Sequence, residues 1–222
     1  LVEQNIKEGN GPPVFITFSG KKQVGKDTAA LMAKEELEAQ GYKVEVTAFA
    51  EPLKRIAIDL LGIDESLVYG NNDDKETLTH IKWDTFPSDI CYKYSNKKIL
   101  WIFDLPREGF MTVRDVLQVL GTDIFREMFD NDVWAKAPFN RSWGDADVVL
   151  IPDCRFPNEK YQTELYDGTV LRLERDTGFK DNHRSETALD GADFINHYTN
   201  NGSLVDLRTI IINLLKQVEL IK

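Results

Sequence analysis

The chain has 222 residues, 42% of them hydrophobic and 29% charged, with a formal net charge of −10. That is ordinary for a soluble globular α/β enzyme, and the acidity argues against a nucleic-acid polymer or an acidic membrane surface as partner. No run approaches the ~18 apolar residues that a membrane span requires.

Residues 1–13 (LVEQNIKEGNGPP) are polar and do not read as a signal peptide. Val14 to Ser19 is an apolar run between Pro13 and Gly20, which predicts a buried strand. A helix is expected over 26–40, with Ala30, Ala33 and Leu37 on one face and Gly41 as its stop. Lys43 to Phe49 alternates as a second strand, and Pro52 opens a helix that Gly62 ends. Residues 63–111 look less regular and are expected to form an inserted, mobile subregion with a hairpin strand over Lys98 to Phe103. Thr112 and Asp115 make a capping-box start for a helical segment that Gly121 divides, predicting two helices. Strands follow at Asp147 to Ile151, Thr169 to Leu173 and Phe194 to Tyr198, with a charged helix at 157–166. Ser203 and Asp206 cap a last amphipathic helix. The two cysteines, Cys91 and Cys154, stand in unrelated contexts, which suits a reducing cytoplasm.

Strands separated by helices predict a parallel sheet with crossover helices, and ligands of such sheets gather at the carboxyl ends of the strands. Gly20 to Thr28 (GKKQVGKDT) lies at the first such end. It contains G-x-x-x-x-G-K between a strand and a helix, the arrangement that cradles phosphates on backbone N–H groups and a helix N-terminus. Gly20 permits the tight exit, Gly25 the close approach, and Lys26 reaches outer phosphates. Asp27 follows where Ser or Thr usually sits. A carboxylate beside a triphosphate is repelled unless a cation intervenes, which predicts Mg²⁺ held at Asp27 through water. The alternatives are a proton or hydrogen bond accepted from a substrate group, or an acid that merely suits the helix dipole. Thr28 offers its hydroxyl to an inner phosphate. Asp153, at the end of an apolar strand, is a second candidate for Mg²⁺, and Arg155 is placed to fork onto a phosphoryl group. Asn200-Asn201-Gly202, before the last helix, makes a turn and cap in any protein, and its position, Asn201 included, falls on the adenine side of such a fold. Arg175 and Arg184 fall where a lid would be. Trp134 reads as core at least as readily as base-stacking.

The ordered segments GKKQVGKDT, AEPLK, VRDVLQVLGTD, NDVW, DCRFPNE, HRSE and NNGSL together resemble the bacteriophage deoxynucleoside monophosphate kinases of the nucleoside monophosphate kinase-like P-loop group. The resemblance runs from about residue 14 to 215 and is weak over 63–105. It implies a single three-layer P-loop kinase domain over 1–222, with a parallel five-stranded sheet, helices on both faces and an inserted acceptor-binding and lid region. It implies ATP-dependent transfer to a deoxynucleoside monophosphate for dNTP supply. Gly20, Lys22, Val24, Gly25, Lys26, Asp27, Thr28, Arg175 and Asn201 would bind ATP. Lys54, Arg114, Gly121, Thr122, Trp134, Arg155 and Glu159 would bind the acceptor. Lys26, Asp27, Asp153 and Arg155 would carry the chemistry, with Asp27 and Asp153 serving Mg²⁺. A viral origin would place the protein in the host cytoplasm, and a homodimer is open as its assembly. Two rival readings are another small-molecule P-loop kinase, phosphomevalonate or dephospho-coenzyme A kinase-like, and a non-catalytic nucleotide-binding protein.

Overall fold

In the computed structural model, residues 11–94, 108–178 and 184–221 are described. The chain divides into two compact units, one of residues 1–49 with 135–222 and one of residues 50–134. The subregion expected at 63–111 lies inside the second unit.

The first unit is built on β1 (Val14–Ser19), β2 (Val44–Val46), β5 (Val148–Cys154), β6 (Thr169–Glu174) and β7 (Asn196–Thr199). They form one sheet in the order β2-β5-β1-β6-β7, with every neighbouring pair parallel. Alternation along β1 explains the layers. Ile16 and Phe18 face a core shared with Ala30, Ala33 and Leu37 of α1 (Lys26–Ala39) and Leu207, Ile211 and Leu214 of α10 (Leu204–Gln217). Phe15 faces the other side, with Val149, Ile151, Val170, Phe49 and Leu189. Helix α8 (Pro157–Leu165) packs on that side, where the Thr163 and Thr17 hydroxyls meet at 3.1 Å. Ser203 caps α10 as expected, its N–H donating to Asp206 at 2.7 Å.

Strand β5 runs three residues beyond the expected Ile151. Thr17 pairs with Ile151 and Ser19 with Cys154, so β5 carries one extra residue at a bulge. That bulge accommodates Pro152, which has no N–H for the ladder. Its effect is to place Asp153 in the strand end and Arg155 directly after it.

The second unit has its own core of Trp83, Met111, Val113, Val116, Val119 and Leu120 with Ala57, Val68 and Cys91. It is more regular than its composition suggests. It contains α2 (Glu51–Arg55), α3 (Glu65–Tyr69), α4 (Asn72–Lys75), α5 (Ser88–Lys93) and an antiparallel pair of β3 (Leu78–Lys82) with β4 (Phe110–Thr112). The hairpin strand expected at 98–103 lies outside the described residues. Helix α6 (Val113–Gln118) starts at the Thr112–Asp115 capping box. Gly121 does not split the segment. The helix continues and widens into π geometry over Val119–Phe129, closing with Asp130 N–H on the Phe125 carbonyl at 2.9 Å. Gly121 serves close packing there, because a Cβ would lie 2.8 Å from the Leu53 side chain. Helix α2 likewise continues in π geometry over Ile56–Leu60, a 3₁₀ turn spans Trp83–Thr85, and the described residues also include α7 (Val133–Asn140) and α9 (Arg184–Thr187). Among the described residues no helix is long and apolar enough to cross a membrane.

Candidate functional site

The loop between β1 and α1 is formed as the glycine spacing predicts. Gly20 and Gly25 have φ of 149° and 98°, values that side chains resist. A Cβ on Gly20 would strike the Leu173 carbonyl of β6, and one on Gly25 would lie 2.8 Å from Asn200 Nδ2. Asn200 is buried and donates from Nδ2 to the Val24 carbonyl at 2.8 Å, while its own N–H reaches the Glu174 carbonyl at 2.7 Å. The turn after β7 therefore holds the loop from behind.

Lys26 is 6% exposed and folds back on its loop, donating to the carbonyls of Gly20 at 2.7 Å and Lys21 at 2.8 Å. Burial, then the Arg155 guanidinium, pushes its pKa down from 10.5 to about 8, against the opposing pull of Glu186 and Asp27. Asp27 is exposed in the first turn of α1, where its charge also suits the helix dipole. Thr28, beside it, is half-buried.

The turn after β5 is shaped by Glu159. It is 4% exposed, and its Oε2 accepts the N–H groups of Arg155 at 2.7 Å and Phe156 at 3.0 Å. Those bonds leave Glu159 as the group that fixes the turn from which Arg155 projects. The Arg155 guanidinium bonds Glu186, and Glu186 Oε2 accepts the N–H of Lys22 at 2.7 Å. Asp153 Oδ1 accepts the N–H of Phe49 at 2.9 Å. Lys26, Arg155, Glu186 and the Lys22 amide thus converge at the carboxyl end of the sheet.

Beside the loop lies a cavity of about 380 Å³ whose lining includes Val24, Arg172, Arg175, Thr199 and Asn201. Three expected nucleotide contacts, Val24, Arg175 and Asn201, meet there. Asn201 Oδ1 also accepts the Asp176 N–H at 3.1 Å. Arg172, 5% exposed, donates to Ser19 Oγ at 3.2 Å.

The acceptor candidates Lys54, Arg114, Gly121, Thr122 and Trp134 all fall in the second unit. Lys54 Nζ lies 4.5 Å from the centre of the Tyr69 ring, and Tyr69 donates to Glu51 at 2.6 Å. Burial, then Glu51, pushes the Tyr69 pKa up to about 12. Arg114 is exposed, paired with Glu76. Thr122 is half-buried. Trp134 is 4% exposed, its indole N–H donating to the Gly121 carbonyl at 2.9 Å and its ring 4.9 Å from that of Phe125. That is the placement of a core residue, as its chemistry alone suggested.

Sequence reasoning missed Arg172 and Glu186, and it took Asn200 only as part of the turn and cap Asn200-Asn201-Gly202. A hidden signal existed for each. Arg172 is a cation inside an apolar strand, and Glu186 and Asn200 stand in the HRSE and NNGSL segments. Among the described residues no group of three or more His, Cys, Asp or Glu is arranged to hold a metal. Mg²⁺ does not need such a cage when substrate phosphates and waters complete its shell, so the two hard carboxylates, Asp27 and Asp153, suit it.

The family model described as deoxynucleotide monophosphate kinase matches residues 63–211. A deoxynucleotide monophosphate kinase of Enterobacteria phage T4 is 28% identical over 241 residues, covering 91% of this chain and 98% of the relative. A putative deoxynucleotide monophosphate kinase of Acanthamoeba polyphaga mimivirus is 26% identical over 196 residues, covering 79% and 82%. A solved putative plasmid partition protein of Borrelia burgdorferi B31, bound to AMPPNP, covers 94% of this chain at 13% identity, with a TM-score of 0.35 that supports no argument. The family match takes in well over half of the chain, from the second unit to the last helix of the first, so this protein belongs to the deoxynucleotide monophosphate kinase family.

Proposed function

We propose that the protein transfers the γ-phosphoryl group of ATP to a deoxynucleoside 5′-monophosphate, giving the diphosphate for dNTP supply. The observation that carries this reading is the formed phosphate loop with the buried Lys26 ammonium inside it, next to a nucleoside-sized cavity, in a chain of this family. The viral origin of both kinase relatives supports work in the cytoplasm of an infected host cell.

The adenosine would occupy the cavity lined by Val24, Arg175 and Asn201. Backbone N–H groups from Lys22 to Thr28, with the N-terminus of α1, would take the phosphates. Lys26 would exchange its two carbonyl partners for phosphate oxygens. Mg²⁺ would be held at Asp27 and Asp153 through water, and when bound it neutralises phosphate charge. Lys54 and Arg114 would bind the acceptor monophosphate, with Gly121, Thr122 and Trp134 shaping its site.

One oxygen of the acceptor phosphate forms a bond to the γ-phosphorus as the bond to the β-bridging oxygen breaks, releasing ADP. That oxygen is already anionic, so no strong base is required. The protein contributes position and charge: Lys26 and Arg155 offset the charge that spreads over the transferring group. Glu159 acts through Arg155 by fixing its turn.

A coupled ADP-release assay across deoxynucleoside monophosphates, phosphomevalonate and dephospho-coenzyme A tests the proposal. Turnover with at least one deoxynucleoside monophosphate and none with the other acceptors is the expected result. No turnover with any deoxynucleoside monophosphate would overturn it.

A further inference from the structure

Glu186 has no part in that mechanism, yet it sits among the groups assigned to the phosphates. Its side chain is 6% exposed. One oxygen accepts the Lys22 amide of the loop at 2.7 Å, and the other bonds the Arg155 guanidinium. A backbone N–H is a single donor, and it serves one good acceptor at a time. The carboxylate therefore holds a donor and a cation that a bound triphosphate would need.

We propose that Glu186 is a built-in stand-in for phosphate, which keeps the loop and Arg155 in place before nucleotide arrives and which the outer phosphates of ATP displace. The proposal rests on reading the loop as the ATP site. Electrostatics makes displacement necessary. A carboxylate within hydrogen-bonding distance of the Lys22 amide would face phosphate oxygens of like charge with little water between them, and repulsion is strong where solvent is excluded.

The local architecture suits a contact that opens. Glu186 belongs to α9, a single turn of Arg184–Thr187. The next tie to the loop is the exposed pair of Asp190 with Lys21 at 2.9 Å, which contributes little. Leu189, 3% exposed, anchors the segment in the core, so Glu186 could withdraw while α9 stays attached to its unit. Glu186 is then a positioning residue for Arg155 and the Lys22 amide in the empty protein, and a competitor of ATP.

The test is binding without acceptor, in the full chain, for wild type, Glu186→Ala and Glu186→Gln. ATP and inorganic tripolyphosphate should bind about tenfold more tightly to Glu186→Ala, because a charge-assisted bond no longer has to be broken. AMP, which has no outer phosphates, should bind all three proteins equally. Glu186→Gln keeps the volume and one acceptor but removes the charge, so it should fall between the other two, and it decides the matter if the alanine variant does not fold. Amide exchange at Lys22 supplies a second reading: slow in nucleotide-free wild type, faster in Glu186→Ala, and slow again in both with ATP. Unchanged or weaker ATP binding in both variants, or Lys22 exchange that does not respond, overturns the proposal. A wild type that binds no ATP at all overturns the reading of the loop itself, a separate and recognisable failure.

Discussion

Lys26 is expected to weaken the empty protein while enabling its chemistry, and Lys26→Met separates the two effects. In the nucleotide-free loop the ammonium is buried, and its pKa is lowered from 10.5 to about 8, chiefly by burial. Keeping it charged at pH 7 therefore costs the folded state about 3 kcal/mol relative to the unfolded chain. Methionine is similar in length and needs no solvation, but it leaves the Gly20 and Lys21 carbonyls without that donor, a loss of about 1–2 kcal/mol. The net expectation at pH 7 is a variant more stable than wild type by about 1 kcal/mol, with turnover reduced a hundredfold or more.

The sign with pH follows from the same shift. Between about 8 and 10.5 the folded wild type has shed a proton that the unfolded chain still holds, so wild-type stability rises with pH through that window. From pH 7 to pH 9.5 wild type should gain about 2 kcal/mol on Lys26→Met, removing or reversing the variant's advantage. Urea denaturation of both proteins without nucleotide at the two pH values measures the gap. A variant less stable than wild type at pH 7, with a gap that does not move by pH 9.5, refutes the reasoning.

Asp27→Asn should raise the magnesium concentration needed for half-maximal turnover several-fold while changing ATP binding little; a turnover curve that does not move with magnesium reduces Asp27 to an acid that suits the helix dipole. Arg114→Ala should raise the acceptor KM about tenfold and leave the ATP KM unchanged, and because its pair with Glu76 is exposed, stability should shift by less than about 0.5 kcal/mol; an equal rise in both KM values would remove Arg114 from the acceptor side. Asp123 is 3% exposed, bonded by Lys93 and by the Tyr94 hydroxyl at 2.8 Å, so Asp123→Ala should cost about 1–3 kcal/mol in urea denaturation. A cost under about 0.5 kcal/mol would show that α5 is held by packing alone.

What was legible in the sequence was what local physics decides. The apolar run of β1, the glycines at Gly20 and Gly25, and the capping residues Thr112 and Ser203 act within a few positions of themselves, and each stands where the sequence predicts it. The pair of β3 and β4 was not legible, because the apolar Leu78 and Phe110 lie on the exposed side, so hydropathy does not follow the burial of the strands, and the partners are far apart in sequence. The widening at Val119 escaped because its apolar residues still satisfy ordinary helical spacing. At the site, Lys26 and Asp27 could be found from their motif. Glu186 could not be given a role, and Asn200 could be read only as part of a turn and cap, since their partners, Lys22, Arg155 and Val24, are brought to them only by the sheet order.

The charges around the loop tie Asp27 and Glu186 into one argument. Lys26 feels two other cations, Arg155 and Arg172, and two carboxylates, Glu186 and Asp27. In the empty protein these nearly cancel, which suits a chain of net charge −10 that must still admit a polyanion. A triphosphate with both carboxylates in place would meet a cluster whose three cations are largely offset by two acids, leaving about the charge of Lys26 alone. On the proposed reading, withdrawal of Glu186 would free Arg155, and Mg²⁺ between Asp27 and the phosphates would offset the acid that stays. The two events should therefore be coupled. The gain in affinity on Glu186→Ala should be larger for ATP without Mg²⁺ than for MgATP, because the uncomplexed tail carries more charge and suffers more from the carboxylate it has to displace. Equal gains in the two conditions would mean that the metal and Glu186 act on different parts of the nucleotide.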